Sequence, residues 1–527
     1  MLGPDDRLYF IHIPKTAGTS LVPLIDAQFS ADAICPAQLW RELVRLPLGE
    51  LPRYRLFRGH FGAHGLDPFL PRPPVCITML REPMRLAYST YQFVLREPGT
   101  RIHKLAVSQA MDFEAFVAHR RTRARISDKM ARNLSFDLKY DPDTETLLSL
   151  KSQAAVDRWV SDHSVRPAGA ERLERAKAQL ARCACFGLVE RFDASMALLA
   201  YTLDWPPVQQ VQKLRVADKR FDPDELTPAC LEQLREANAL DIELYAYAEQ
   251  CFDEAVTRMI EALRPWAEPT RPLPDRFEDD PDAVHAALDR RYRQRRIERD
   301  PTPRRVTHVD FNDALPGSGW HGRETSPTSG RCFRWTGPGR SATLDLHVGR
   351  DVPLRLTLRV IDAIDEAALA GLRVAVDDAA LTMRTLDGAG SRARTLQGEI
   401  PPRPPRPGDA APALTRLTLS VSATASLAAR SRFSADGRAV GVAVEWVDVR
   451  PASELAPGER PAEATTLVPR RQRLAARRGP ITRGHIARRI KDAVKRTPLL
   501  GPVLRQAAQR LGLYASTPLT PRHHARP

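Results

Sequence analysis

The sequence lacks the features that mark metal-binding, disulfide-stapled and membrane-spanning proteins. Its seven cysteines have neither zinc-ligand spacing nor a paired framework, so we predict no metal site and a reducing compartment. It has no run of about 18 apolar residues, which argues against a transmembrane helix. No charged-then-apolar leader follows Met1, as a secreted protein would need. These absences predict a cytoplasmic protein, and its 527 residues predict roughly two or three domains.

Acidic residues are scarce only at one end of the chain. The net charge is +15, but residues 451–527 contain sixteen Lys and Arg against four Asp and Glu and so supply +12 of it. The rest is nearly balanced, so we expect no nucleic-acid binding. Apolar residues at helical spacing lie among the basic ones from Ile486 to Leu511. The tail, 453–527, therefore fits two interpretations equally: a basic helical segment on the anionic inner face of a membrane, or a solvated, partly disordered segment.

Composition changes along the chain and predicts its domains. Residues 1–265 alternate strand patterns, such as Leu8–Ile13 and Val75–Leu80, with helical ones, which predicts an α/β domain with a parallel sheet. Residues 266–305 are rich in Pro, Asp and Arg and indicate a linker, with a short exposed helix at Arg290–Arg299. Residues 306–452 contain short alternating runs without helices, which predict an all-β sandwich. These runs are Ala342–Val348, Leu354–Val360, Leu372–Val376, Leu417–Val421 and Ala439–Val447.

The first predicted strand leads into I-P-K-T-A-G-T-S at residues 13–20. A loop that enters a helix is an anion site, because the first helical N–H groups have no intrahelical acceptor and the helix dipole favours negative charge. Gly18 lets the backbone approach an oxyanion, and Lys15 adds a point charge. Further hydroxyl donors come from Thr16, Thr19 and Ser20. This stretch predicts a site for one phosphate-like group.

The same loop lacks the glycine that a nucleotide triphosphate loop requires upstream of its lysine. Thr16 follows Lys15 as in such loops, but no glycine stands at the required upstream position. No acidic residue nearby is an evident magnesium ligand. We therefore favour an anion bound without an obligatory metal and keep a P-loop nucleotide-dependent kinase as the alternative.

The stretch F-I-H-I-P-K-T-A-G-T-S, residues 10–20, resembles the 5′-phosphosulfate loop of the carbohydrate-type (family 2) sulfotransferases. These enzymes transfer a sulfuryl group from 3′-phosphoadenosine 5′-phosphosulfate (PAPS) and release PAP. The resemblance implies a catalytic role for Lys15, which neutralises charge on the oxygen that leaves with the 5′-phosphate. It also implies that the donor is held by Lys15, Thr16, Ala17, Gly18, Thr19 and Ser20.

A second stretch, C-I-T-M-L-R-E-P-M-R-L-A-Y-S at residues 76–89, resembles the 3′-phosphate motif of the same family. Arg81 ends a predicted strand, Pro83 suits the first turn of a helix, and Ser89 follows two turns later. The arginine offers a planar fork of donors and the serine a hydroxyl, so both can converge on one phosphate. The resemblance covers roughly residues 7–250 and includes G-L-V-E-R-F at 187–192.

A glycine-histidine pair supplies the candidate base. It follows the strand-like run Tyr54–Arg58, and in the heparan 2-O-sulfotransferase-like members a G-H after the second strand carries the catalytic base. The resemblance therefore implies His60 as the general base, and an imidazole pKa near about 6.5 suits that role. His12 is the reserve base.

The stretch S-D-K-M-A-R-N-L-S-F at residues 127–136 resembles the acceptor-side segment of the family. Its order departs from the family pattern, because the arginine precedes the asparagine. Candidate substrate contacts are therefore His64, Arg132 and Asn133.

Two tryptophans mark the predicted sandwich. Trp320 and Trp335 flank a glycine-rich stretch that resembles a β-sandwich module accompanying some bacterial glycosyltransferases. Tryptophan packs well in sandwich cores and also stacks well on sugar rings. The two alternatives are a packed core and a candidate carbohydrate-binding module.

These patterns predict four parts: a P-loop-like parallel α/β sulfotransferase domain (1–265), a linker (266–305), an all-β sandwich (306–452) and a basic helical tail (453–527). The expected reaction moves a sulfuryl group from PAPS to a hydroxyl of a carbohydrate acceptor, either polysaccharide or glycolipid. A catalytically inactive glycan-binding protein is the non-enzyme alternative.

Overall fold

The computed structural model describes residues 2–3, 5–98, 100–140, 147, 150–208, 221–326, 329–387, 392–403, 414–430 and 436–454. The chain up to Glu454 forms one compact unit. Apart from residues 453 and 454, the predicted basic tail with its helical pattern lies outside the described residues. Among the described residues, every helix is too short or too polar to span a bilayer.

A parallel sheet forms the centre of the N-terminal region. The strands here are β1 (Leu8–Ile11), β2 (Leu56–Gly59), β3 (Val75–Leu80), β4 (Asp137–Leu138), β5 (Ser164–Val165) and β6 (Cys185–Leu188). Four of them form the sheet in the order β2–β1–β3–β6, each parallel to its neighbour. The side chains of β1 are completely or almost completely buried, as expected for a sheet covered on both faces. β1 ends two residues earlier than predicted, because the loop starts there.

Helices cover this sheet and begin where local sequence dictates. At the start of the helix after β3, the Glu82 carboxylate accepts the N–H groups of Met84 at 3.0 Å and Arg85 at 2.7 Å, and Pro83 occupies the first helical position. The α/β prediction with a parallel sheet is confirmed at this level. The helices are α1 (Gly18–Asp26), α2 (Trp40–Leu43), α3 (Pro83–Arg96), α4 (Arg101–Ser108), α5 (Phe113–Ala118), α6 (Arg120–Ile126), α7 (Lys129–Leu134), α8 (Gln153–His163), α9 (Gly169–Arg182), α10 (Phe192–Leu203), α11 (Pro228–Ala237) and α12 (Ala239–Leu263).

The stretch 266–305 contains helix α13 (Pro281–Arg299), so the prediction of a short exposed helix within a linker was wrong. Asp280 accepts the N–H of Ala283 at 3.1 Å and starts the helix nine residues before the predicted point. Val284 and Leu288 are completely buried and belong to the core of the α/β region. The arginines of the second half masked this apolar stripe in the sequence.

Two large antiparallel sheets form most of the described region after α13, beside the small antiparallel pair β17–β18. One has the order β10–β16–β12–β13 and the other β14–β15–β11–β19–β9–β8, with β7 also paired to β19. Their buried faces share one core, which confirms the sandwich-like prediction. The elements are β7 (Thr307–Asp310), β8 (Glu324–Thr325), β9 (Cys332–Trp335), β10 (Ser341–Leu346), β11 (Leu354–Ala363), α14 (Glu366–Ala370), β12 (Arg373–Val376), β13 (Ala379–Leu381), β14 (Arg384–Asp387), β15 (Arg394–Ile400), β16 (Thr415–Ser420), β17 (Ala425–Ser426), α15 (Leu427–Arg430), β18 (Ala439–Val440) and β19 (Val442–Pro451).

The sandwich region holds the C-terminal end of helix α1. Arg323 donates to the carbonyl of Asp26 at 2.8 Å and also to that of Phe29, and the N–H of Leu315 donates to the carbonyl of Ala27 at 3.1 Å. The last carbonyls of a helix have no intrahelical donor, so these contacts cap α1. The predicted anion loop precedes the N-terminal end of α1. By fixing the C-terminal end of α1, the sandwich region therefore helps to position the helix that follows the loop.

Candidate active site

Three strands of the parallel sheet end side by side and bring the predicted site residues to one edge. Ile11 on β1 pairs with Gly59 on β2 and with Thr78 on β3. His12 and His60 follow these positions directly, and Arg81 follows the end of β3. Ligands of open α/β sheets bind at the carboxyl ends of the strands, so this edge is the candidate active site.

The loop between β1 and α1 contains main-chain N–H groups that make no hydrogen bond within the described part of the chain. Lys15 and Ala17 have positive φ angles of 77° and 59°, and Ala17 is the N-cap of α1. Among the described residues, the N–H groups of Ala17, Gly18 and Thr19 have no hydrogen-bond acceptor. Left-handed residues next to right-handed ones turn successive N–H groups to the same side and form a concave anion site. Such a loop can hold an anion, and anion binding by it remains a prediction.

The three predicted hydroxyl donors of the loop differ in their surroundings. Thr16 is completely buried, and its hydroxyl donates to the carbonyl of Ile13 at 2.8 Å. Thr19 is exposed, and the N–H of Ser20 donates to the carbonyl of Ala17 at 3.0 Å. The hydroxyl proton of Thr16 thus stabilises the turn, while the contacts of Thr19 and Ser20 with an anion remain predictions.

Gly18 is required by close packing against His12. A Cβ at this position would overlap the imidazole ring of His12 at three ring atoms. We predict that Gly18→Ala destabilises the fold by about 1–3 kcal/mol, because the ring or the loop must move. Urea unfolding measures this effect, and Gly49→Ala, where an added Cβ meets nothing within 4 Å, is the matched control. Equal stability of the two variants would contradict the packing described.

His60 is held in the tautomer that a general base requires. Its Nδ1 lies 2.6 Å from the main-chain oxygen of His12. A carbonyl oxygen only accepts, so Nδ1 carries the proton and Nε2 keeps its lone pair. Burial lowers the pKa of His60, and the positive charge of Lys129 lowers it further. The hydrogen bond to the His12 carbonyl raises the pKa but does not offset these two effects. The imidazole is therefore neutral at neutral pH.

His12 forms a pair with His60 and is the more strongly perturbed of the two. The ring centroids are 4.4 Å apart, and the His12 ring also stacks on Phe10 at 5.2 Å. Burial, followed by His60, Lys129 and Lys15, lowers the pKa of His12 to about 3. A base with so low a pKa accepts a proton poorly, which favours His60 over His12.

The side chain of Arg81 contacts the main chain of Lys15. The Arg81 Nη1 donates to the carbonyl of Lys15 at 3.1 Å, while its buried Nε has no hydrogen-bond partner among the described residues. Burial lowers the pKa of Arg81. The Lys15 ammonium lies 4.8 Å from the centre of the Phe93 ring on α3. Ser89, half-buried, is on the same helix.

Lys129 is a site residue that the sequence prediction missed, although it lies in the stretch assigned to the acceptor side. Its Nζ donates to the Thr90 hydroxyl at 3.1 Å, next to Ser89. Burial, then Arg132 and Lys15, lowers its pKa to about 7. Lys129 also lowers the pKa of both histidines, so it belongs to the same cluster. The sequence shows no local signal for this role, because the contacts of Lys129 come from α3 and from the start of α7.

Asp241 caps the N-terminus of α7 and Asp128 caps the N-terminus of α12, and together they fix the position of Lys129. The Asp241 carboxylate accepts the N–H groups of Met130 at 2.9 Å and Ala131 at 2.8 Å at the start of α7. In return the Asp128 carboxylate accepts the N–H of Leu240 at 3.0 Å at the start of α12. Each helix thus supplies the other's N-terminal acceptor. Burial raises the pKa of Asp241 to about 6.

The three predicted substrate contacts make mainly structural contacts. The Nδ1 of His64 pairs with Asp67 at 2.8 Å. The side-chain amide of Asn133 donates to the carbonyl of Lys129 at 2.7 Å, and the main-chain carbonyl of Asn133 accepts the N–H of Ala63 at 3.0 Å. Arg132 is exposed and donates to the carbonyl of Ala124 at 3.1 Å. Of these three, Arg132 alone acts on the cluster electrostatically, through Lys129.

The tryptophans of the sandwich are core residues. Trp320 is 8% and Trp335 4% exposed. The indole N–H of Trp320 donates to the carbonyl of Thr343 at 2.9 Å, and its ring packs against Phe311 at 4.8 Å. Side chains packed in this way leave no face for a sugar ring, so the hypothesis that they stack on a glycan was wrong.

Comparison with protein families and with curated proteins identifies no relative of this chain. No family model matches the chain, and no curated protein matches it. The resemblance to the sulfotransferases therefore depends on the residues of the loop, of the 3′-phosphate motif and of the glycine-histidine pair.

Proposed function

We propose that this protein is a PAPS-dependent carbohydrate sulfotransferase. The amides of Ala17, Gly18 and Thr19, with the Lys15 ammonium, bind the 5′-phosphosulfate of the donor. Arg81 and the hydroxyl of Ser89 bind its 3′-phosphate, and the unpartnered Nε of Arg81 leaves donor capacity for that purpose. No metal ion is required in this proposal, because the loop lacks the residues of a magnesium-dependent triphosphate site.

The observation that carries the proposal is the position and tautomer of His60. Its Nδ1 proton is committed to the His12 carbonyl, so Nε2 accepts the proton of an acceptor hydroxyl. The acceptor oxygen forms a bond to sulfur as the bond from sulfur to the 5′-phosphate oxygen breaks. Lys15 neutralises the charge on the departing phosphate, and the protonated form of Lys129 adds positive charge to the same cluster.

The acceptor and the cellular location remain predictions. The proposed acceptor is a hydroxyl of a polysaccharide or a glycolipid in the cytoplasm. Docking of the basic tail on an anionic membrane would bring the enzyme to such a glycolipid.

Calorimetric titration with nucleotides tests the proposal. We expect PAP to bind more tightly than adenosine 5′-phosphosulfate, ATP or magnesium-ATP, because it alone carries both the 3′- and the 5′-phosphate that the two anion sites fit. Lys15→Ala should weaken PAP binding about 10-fold or more, since a charge-assisted contact is lost. Firm binding of magnesium-ATP beside weak binding of PAP would favour the kinase alternative. Absence of any nucleotide binding would favour a glycan-binding protein.

A further inference from the structure

A cavity of about 620 Å³ lies where the α/β region, helix α13 and the sandwich region meet. Its lining includes Arg55, which directly precedes β2, and His347, which directly follows β10. The cavity is therefore at the amino edge of the parallel sheet, whereas His60 follows the carboxyl end of β2. Its volume is within the range of roughly 300–1,000 Å³ that is usual for small-molecule sites.

Buried polar atoms without hydrogen-bond partners surround this cavity. His347 is 6% exposed, and its Nε2 has no partner among the described residues. The hydroxyl oxygen of Thr307 is also buried and has no partner among the described residues. Buried polar atoms are normally hydrogen-bonded, so these two atoms have hydrogen-bonding capacity that no described residue uses.

The carboxylate of Asp204 is the third such group. Asp204 is 4% exposed, and it pairs with Arg299 at 3.0 Å and with Arg291 at 3.6 Å. Neither carboxylate oxygen has a hydrogen bond of acceptable geometry within the described part of the chain. These ion pairs offset its charge and leave its acceptor sites available. A ligand that reaches the Asp204 carboxylate therefore donates hydrogen bonds to it.

The charged residues and the tryptophan that line the cavity restrict the chemical class of the ligand further. Among the described residues, four arginines and four aspartates line the cavity, so their charges cancel and no polyanion is favoured. Burial lowers the pKa of His347, which leaves its ring neutral with one donor and one acceptor nitrogen. Trp205 also lines the cavity, and Phe29 packs edge-on against its indole at 6.3 Å. An indole matches the apolar face of a sugar ring.

We propose that this cavity binds a neutral mono- or disaccharide. Sugar hydroxyls both donate and accept, so they can satisfy a carboxylate, a neutral imidazole and a threonine hydroxyl at once. This site is separate from the candidate active site, because β2 lies between them. The inference therefore stands independently of the proposed sulfotransferase activity, and for such an enzyme it adds a second contact with the glycan.

Binding of maltose, cellobiose, lactose and di-N-acetylchitobiose to the full chain tests this inference. We expect saturation-transfer NMR and calorimetry to detect at least one of them. Asp204→Asn and His347→Phe should each weaken that binding about 10-fold or more, because each removes hydrogen-bonding capacity. Asparagine tolerates the left-handed conformation of residue 204, whose φ is 58°. His347→Phe removes an unpaired buried nitrogen, so the variant should fold at least as stably as the wild type.

His321→Phe is the matched control within the sandwich region. Its Nε2 already donates to the carbonyl of Ala439 at 2.7 Å, and it is outside the cavity, so saccharide binding should not change. The inference is overturned if no saccharide binds, if both cavity variants bind as the wild type does, or if a sulfated disaccharide binds more tightly than its neutral parent. PAP titration of the same variants should match the wild type, which separates this test from that of the sulfotransferase proposal.

Discussion

Replacing His60 with asparagine is expected to lower kcat for sulfuryl transfer by about 10²–10⁴-fold, the usual contribution of a general base. The asparagine amide can still donate to the His12 carbonyl, which His60 Nδ1 contacts at 2.6 Å. The substitution therefore keeps the local structure and removes only the basic nitrogen. Steady-state rates with PAPS and an acceptor glycan measure the loss, and PAP affinity should stay within about 2-fold of the wild type.

The pH dependence of kcat provides a second readout of the same residue. Burial holds the pKa of His60 below its ordinary value of about 6.5, so the base is protonated only below that pH. The wild-type rate should fall as pH decreases through that lower pKa, and His60→Asn should lack this dependence. His64→Asn is the matched control, because His64 is paired with Asp67. A wild-type rate in His60→Asn would exclude His60 as the base.

Replacing Arg81 with alanine is expected to weaken PAP binding by about 10–100-fold. Hydrogen bonds to charged groups contribute about 1.5–3 kcal/mol each, and the guanidinium supplies a fork of donors to the 3′-phosphate. Arg81 also donates to the carbonyl of Lys15 at 3.1 Å, so its removal affects the anion loop as well. Calorimetry with two nucleotides separates these two effects.

Adenosine 5′-phosphosulfate lacks the 3′-phosphate and is the comparison ligand. If Arg81 binds the 3′-phosphate, Arg81→Ala loses more affinity for PAP than for adenosine 5′-phosphosulfate. Equal losses for both ligands would show that Arg81 acts only by holding the loop. Arg85→Ala is the matched control, because its side chain is exposed in the first turn of α3. Unchanged PAP binding in Arg81→Ala would contradict the assignment of the 3′-phosphate site.

Local features of the site were predictable, because contiguous residues encode them. The run from residue 13 to 20 specified a loop with N–H groups at a helix start, and Pro83 after Glu82 specified the start of α3. The alternation of strand and helix patterns was enough for a parallel sheet. Each of these depends on backbone geometry over a few residues, which side-chain type controls directly.

The same local approach failed where burial decided the outcome. Helix α13 was taken as a linker because its arginines hid a buried apolar stripe. Trp320 and Trp335 had two possible environments, and tertiary packing buried both: Trp320 in the core shared by the two sheets and Trp335 in a smaller cluster with Val440 and Ala443. Lys129 was overlooked because nothing near it in the sequence signals a lysine with a pKa of about 7.

Sequence patterns were enough for the parallel α/β region, for the anion loop and for the start of α3. They could not show which of these groups lie together in the folded chain. The bond from His60 to His12 joins residues 48 positions apart, and that from Met130 to Asp241 joins residues 111 apart. Such contacts follow from strand register and from helix docking. The pKa values, the tautomer and the cavity depend on them in turn, because each reflects burial by distant segments of the chain.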